Sequence, residues 1–231
     1  MKNVTEKYRR EAVSFDAFYF EKQRENGKIF SMRETFSHIS DVNLWGSSES
    51  VSGEGSTDSE TQRLKNDLIR LLSELKIKTL LDAPCGDFQW LSTVNLPVEK
   101  YFGVDVEHKN IEKLMKQHGE KKQFSTADIC KDTLPLSDLI LCRDCLVHFS
   151  FEDICKAIDN FKQSGAKYLL TTTFTDCNEN MDIITGDWRT LNLQISPFNF
   201  PTPIKIITEG CMQNNGLYKD KSLALWKLVQ L

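Results

Sequence analysis

Short β-forming runs, each closed or followed by an aspartate, recur down the middle of this chain and restrict its fold more than any other feature. The runs are Thr79–Ala83, Tyr101–Val106, Gln123–Ala127 and Leu139–Cys142, and Tyr168–Thr173 supplies a fifth. Helical patterns separate them. Thr61–Leu75 carries Leu64, Leu68, Leu71, Leu72 and Leu75 at helical spacing, Asn110–Gln117 follows the second run, and Phe151–Phe161 sets Ile154, Ala157, Ile158 and Phe161 on one face. Strands that alternate with helices imply an α/β fold, a mostly parallel sheet with helices on both faces. The tail breaks the rhythm. Pro197, Pro201 and Pro203 punctuate a loop, after which Ile204–Thr208 and Ser222–Val229 read as an antiparallel hairpin closing one edge, with Gly216 in the turn.

At 231 residues the chain has room for one α/β domain, 61–231, and an N-terminal segment, 1–60. In that segment Asp16–Arg24 predicts a short helix. Val51–Thr61, with Ser52, Gly53, Gly55, Ser56 and Thr57, is a polar loop, either a linker or a lid over a ligand with Trp45 as its apolar anchor. A net charge of −4 with lysines and glutamates interleaved gives no general attraction for nucleic acid. The seven cysteines, an odd number lying mostly in apolar segments, predict reduced thiols rather than a disulfide scaffold. No run reaches the roughly 18 apolar residues of a membrane helix, and Met1–Arg10 is charged with no apolar signal core behind it. The expectation is a cytoplasmic protein without a membrane span. No sequence feature fixes a homo-oligomeric state.

Ligands on parallel sheets bind at the carboxyl ends of the strands, which is where Asp82, Asp105, Asp128 and Asp144 fall. Asp105, after Gly103 and Val104, offers an anionic fork suited to a ribose diol, and Gly86 lets a ligand approach backbone. No Gly-Lys-Ser/Thr follows the first turn, which excludes a phosphate-binding P-loop, and one glycine stands where a dinucleotide fingerprint needs three. A nucleoside ligand without a pyrophosphate has no use for that glycine-dense nest.

The stretch "CRDCLVHF", Cys142–Phe149, places Asp144 and His148 beyond the fourth strand as an acid–base pair. The imidazole can take a proton near neutral pH with the carboxylate orienting it, or Asp144 can itself be the base. Cys142, Cys145 and His148, with Cys85, also have zinc-like spacing, but two of the thiols sit in or beside an apolar strand. Farther on, Asp176, Asn178, Asn180, Trp188, Arg189, Asn192 and Asn199 mix polar groups with an indole, a combination suited to sugars, and Glu209 follows a tail strand that can reach the pocket. Asp176, Asn178 and Asp182 alternatively form a divalent-ion site. Spacing alone does not favour it, so no metal ligand is assigned. Asp220 and Lys221 read as braces of the hairpin turn.

Leu80-Leu81-Asp82-Ala83-Pro84-Cys85-Gly86-Asp87, Tyr101-Phe102-Gly103-Val104-Asp105, Asp128-Ile129 and the strand Asp138–Cys142 together resemble a class I S-adenosylmethionine-dependent methyltransferase. The resemblance implies a Rossmann-like sheet and S-adenosylmethionine as cofactor. It places Asp82 and Gly86 near the methionine part, Asp105 on the ribose, and Asp128 on the adenine amino group with Ile129 beside the ring. Ala83, Pro84 and Val106 complete that wall, Trp45 and Ser52 cover it, and Arg143 orients a carboxylate or the donor's tail. Pro84 and Phe88 depart from the glycine-rich form of the first motif.

A closer resemblance runs from Trp45 onward, through Trp45-Gly46, Glu49-Ser50-Val51-Ser52-Gly53, Arg143–His148, Asn192-Leu193, Pro197–Pro201 and Asp220–Trp226. These blocks are similar to a methyltransferase family of bacteria and large algal viruses, found alone or joined to glycosyltransferases. It implies methylation of a sugar hydroxyl on a glycan, polysaccharide or nucleotide-sugar precursor, with partners in a glycosyltransferase pathway. The acceptor-binding residues are then Asp176, Asn178, Trp188, Arg189, Asn192, Asn199 and Glu209. Alternatives are a non-sugar small molecule, a lipid or a protein as acceptor, and a binding protein that keeps the fold without turnover.

Overall fold

Residues alternate sides along each central strand, so a strand that is apolar throughout must be covered twice. In a computed structural model that describes residues 16–120 and 122–231, the chain does this with two cores. On one face Leu80, Leu139, Leu141 and Leu170 meet Leu64, Leu68 and Leu72 of one helix and Ile111 and Leu114 of another. On the other face Leu81, Ile140 and Leu169 meet Ile154, Ala157, Ile158 and Phe161.

The elements run α1 (Tyr19–Glu25), α2 (Met32–Val42), α3 (Asp58–Glu74), β1 (Thr79–Asp82), α4 (Gln89–Ser92), β2 (Lys100–Asp105), α5 (His108–His118), β3 (Gln123–Thr126), β4 (Leu139–Cys142), α6 (Phe151–Gln163), β5 (Tyr168–Phe174), β6 (Lys205–Thr208), α7 (Gln213–Gly216) and β7 (Lys221–Lys227). The sheet order is β3-β2-β1-β4-β5-β7-β6. β7 is antiparallel to both β5 and β6, and the other pairings are parallel. The expected mixed sheet and edge hairpin are therefore present. The chain reverses its direction of travel across the sheet between β1 and β4, which is the switch point where ligands of such folds bind.

Three helices escaped the sequence reading, α2 and the four-residue turns α4 and α7. α2 is announced by Ser31-x-x-Glu34, a reciprocal capping box in which the Ser31 side chain accepts from the Glu34 amide and the Glu34 carboxylate accepts from the Ser31 amide. α3 starts at Asp58, three residues before the expected Thr61, because Thr57 already acts as its N-terminal flank. The charged Met1–Arg10 stretch lies outside the described residues. Among the described residues no helix is long and apolar enough to cross a membrane.

Candidate active site

The carboxyl ends of β1 and β2 are adjacent by register, with Asp82 beside Gly103 and Asp105 beside Thr126 of β3. Asp82 is buried and accepts a 2.6 Å hydrogen bond from the Tyr101 hydroxyl. Burial pushes its carboxyl up to about 7, against the Tyr101 bond, which acts the other way. Asp105 accepts from the Gly86 amide at 2.9 Å and the Glu107 amide at 2.8 Å, one on each oxygen. Burial still raises it to about 6. Those two bonds fix the carboxylate plane and leave a lone pair on each oxygen for a ligand. Asp128 is held similarly: it accepts from the Cys130 amide at 3.0 Å and pairs with Lys131 at 3.0 Å.

These groups line a cavity whose empty space, counted out through its mouth, is about 970 Å³. Pro84, Gly86, Val106, Ile129 and Arg143, named from the sequence, share the wall, whereas Ala83 does not reach it. Ala83 is buried under the sheet end, in a cis peptide with Pro84. Gly86 has φ +54°, and a Cβ there would overlap the Ser52 hydroxyl, so the turn and the Ser52 segment interlock. The roof comes from α2, through Met32, Phe36 and Ile39. Their i, i+4, i+7 spacing behind the capping box was the signal that could have revealed it.

A second cavity, about 1050 Å³ including its mouth, adjoins the first. Trp45, Ser52, Asp144 and His148 line both. The far side of the second cavity is aromatic. Phe174, Trp188 and Tyr218 meet edge to face, with ring centroids 5.1 to 6.2 Å apart. Gln213, Asn214 and Lys221 add polar groups.

His148 is buried in the shared wall with Trp45 stacked on it at 4.5 Å. Its Nδ1 lies 3.0 Å from the carbonyl oxygen of Asp187, which can only accept, so Nδ1 carries the proton and Nε2 the lone pair. Burial pulls the imidazole down to about 4, partly offset by that backbone bond and by Asp144. The ring is neutral at physiological pH.

The expected Asp144–His148 dyad is not formed as a hydrogen-bonded pair. Asp144 instead pairs with Lys221 at 2.6 Å and Arg143 at 3.2 Å. Although burial alone would raise it, those two cations hold its carboxyl down at about 2, which makes Asp144 a poor proton acceptor. It has φ +50°, an unfavourable region for a non-glycine residue, and its amide is anchored on Thr172 Oγ1 at 2.8 Å.

Several residues expected to bind an acceptor do other work. Arg189 is buried and donates to the carbonyls of Leu146, Phe149 and Met181. Asn192 bonds to Cys177 and Gln194 and donates its amide to Asn180. Glu209 takes a bidentate grip from Arg143, at 2.6 and 3.2 Å. Asp176, Asn178 and Asn199 are exposed and line neither cavity. Of the seven, Trp188 alone stands in a cavity wall. Lys221, expected as a hairpin brace, is buried between Asp144 and Glu209, and Asp220 accepts from the Asp176 amide at 2.9 Å. Among the described residues no three of His, Cys, Asp and Glu are grouped to hold a metal ion. Asp182 accepts from the Phe151 and Ile183 amides.

No protein-family model and no curated protein matches this chain. Solved structures do. NodS, an N-methyltransferase from Bradyrhizobium japonicum WM9 in complex with S-adenosyl-L-homocysteine, matches with TM-score 0.60 and 16% identity, over 84% of this chain and 97% of NodS. The fold is that of the class I methyltransferases. The 1,6-didemethyltoxoflavin-N1-methyltransferase of Burkholderia thailandensis, with bound 1,6-didemethyltoxoflavin and S-adenosylhomocysteine, matches with TM-score 0.58 and 14% identity over 94% of this chain and 93% of that enzyme. Human N-acetylserotonin methyltransferase in complex with SAM matches with TM-score 0.52 and 12% identity over 85% of this chain and 56% of its own.

Proposed function

We propose that this chain is an S-adenosylmethionine-dependent methyltransferase acting on a saccharide hydroxyl. The observation that carries the reading is the single wall, Trp45, Ser52, Asp144 and His148, between the carboxylate-lined cavity at the strand ends and an aromatic, polar second cavity. S-adenosylmethionine, when bound, supplies an electrophilic methyl group on a sulfonium. In the first cavity Asp105 would offer two fixed lone pairs to its ribose diol, Val106 and Ile129 would hold its adenine, and Asp128 would offer its remaining lone pairs to the adenine amino group. A fold neighbour crystallised with S-adenosylhomocysteine supports the donor assignment.

In the second cavity His148 receives the acceptor's proton at Nε2, the one ring nitrogen with a lone pair, and Trp45 keeps water off one face. Trp188 and Tyr218 give a sugar ring an apolar surface, and the amides of Gln213 and Asn214 serve its hydroxyls. The one lysine of that cavity, Lys221, is already paired with two carboxylates. Among the described residues the cavity therefore offers no free Lys or Arg side chain to a phosphate, which favours a neutral glycan over a nucleotide-sugar precursor. Glycosyltransferases would be its pathway partners.

A second reading is an amine acceptor. Glu54 in its lining makes the second cavity hospitable to a cation, and two of the fold neighbours are named N-methyltransferases. The deciding experiment offers methyl-labelled S-adenosylmethionine with neutral oligosaccharides, amino sugars and nucleotide sugars, and reads the product by mass spectrometry. A methylated neutral oligosaccharide is expected. Methylation of amines alone would select the second reading, and label transfer to none would remove both.

A further inference from the structure

Residues 50–56 form the partition between the cavities, with Val51, Ser52 and Ser56 on the first and Ser52, Gly53, Glu54 and Gly55 on the second. Among the described residues, the backbone–backbone hydrogen bonds of this stretch are local: Gly53 to Ser50, Ser56 to Gly53, and Thr57 to Glu54. Its polar ties to the body of the protein are side-chain contacts at its two ends. At one end Asp87 accepts from the Ser50 hydroxyl at 3.0 Å and the Val51 amide at 2.9 Å. At the other, Arg143 donates to the Gly55 carbonyl at 2.8 Å while its fork is gripped by Glu209. Arg143 also faces the Trp90 ring at 5.3 Å. The fit at Gly55 is close, because a Cβ there would lie 2.9 Å from Asp144 Oδ2 and 3.3 Å from Lys221 Nζ.

We infer that Asp87 and Glu209 are positioning residues that latch the 50–56 strap shut over the donor, Glu209 acting through Arg143. The inference rests on the donor reading above. It explains why Glu209, far along the chain, is buried against Arg143 instead of facing an acceptor. Arg143 and Lys221 balance Asp144 and Glu209, so the latch is electrically neutral in the closed state. The strap has few other polar ties to the body, so loss of either carboxylate frees it without dismantling the sheet.

A latch has a kinetic signature that an ordinary contact lacks, since freeing it speeds both entry and exit of the ligand. The test follows S-adenosylhomocysteine association and dissociation by stopped-flow tryptophan fluorescence on the full chain. Glu209→Gln and Asp87→Asn should each accelerate both rates by about tenfold, the loss expected for one charge-assisted hydrogen bond. The control Asp105→Ala, which removes a donor contact, should accelerate exit alone. If the latch variants also change exit alone, the two carboxylates are ordinary binding groups and the inference is wrong. Hydrogen exchange of amides 52–56 in the ligand-free chain decides the matter independently. Both variants, and the milder Ser50→Ala, should exchange faster than wild type, and equal exchange overturns the latch. Failure of the wild type to take up S-adenosylhomocysteine would instead count against the donor reading.

Discussion

Asp82 and Asp105 of the first cavity are buried without a cationic partner among the described residues, whereas Asp144 and Glu209, which back the second, are both paired. Among the described residues Asp82 and Asp105 make no ion pair and rely on a hydroxyl and two amides, so burial pushes both upward. Asp144 and Glu209 sit on the same sheet, yet Arg143 and Lys221 neutralise them. An unpaired buried acid costs stability until a ligand satisfies it, whereas a paired one is part of the scaffold. Under the proposed function, the difference separates groups poised to bind from groups that hold the binding groups in place.

His148 lies where the two regions meet, and replacing it should break the comparison most severely. His148→Ala is expected to lower turnover by about 10²–10⁴-fold while donor affinity, measured by calorimetry, stays nearly unchanged. Equal losses in both would make His148 a donor-packing group. In the wild type the acid limb of the pH–rate profile should fall near the depressed value of about 4, not near 6.5, because the ring is neutral above it.

Asp82 sharpens the contrast through stability. Its folded pKa lies above the ordinary 3.8, so its favourable contribution is complete below about pH 4 and is lost as the pH rises through about 7. Asp82→Asn keeps an acceptor for Tyr101 and removes that loss. Ligand-free unfolding free energy should therefore gain about 1–3 kcal/mol above pH 7 and almost nothing near pH 4, by denaturant titration. A gain independent of pH would show that ionisation is not the cause. The smallest expected effect is on the acceptor side. Trp188→Ala should raise the acceptor KM by about five- to tenfold, in keeping with one lost aromatic contact, and Asn199→Ala should leave it unchanged.

The two cavities also differ in how visible they were beforehand. Asp82, Asp105 and Asp128 could be placed because strand register carries successive strand ends to one edge, whatever the loops do. The wall built by α2 was missed although Ser31, Glu34, Met32, Phe36 and Ile39 spell out a capped amphipathic helix, because aromatic and charged residues mixed through that segment masked its period. On the acceptor side a composition of Asn, Asp and Arg was read as a binding surface. Arg189 and Asn192 are instead consumed by the carbonyls and amides of a long connection that has no sheet to satisfy them. The pairing of Lys221 with Asp144 spans 77 positions and no local pattern announces it. Tyr101, which tunes Asp82, was likewise invisible as a partner, since only the β1–β2 register brings the two together.

Calorimetric titration of S-adenosylhomocysteine into the full chain and into Asp105→Ala tests the central claim most directly. Wild type should bind one equivalent, and the variant should bind about 10–100-fold more weakly, as expected for losing hydrogen bonds to a charged group, with its circular dichroism unchanged. Absence of binding to wild type, or equal affinity in both proteins, would contradict a nucleoside donor held at the ends of β1 and β2.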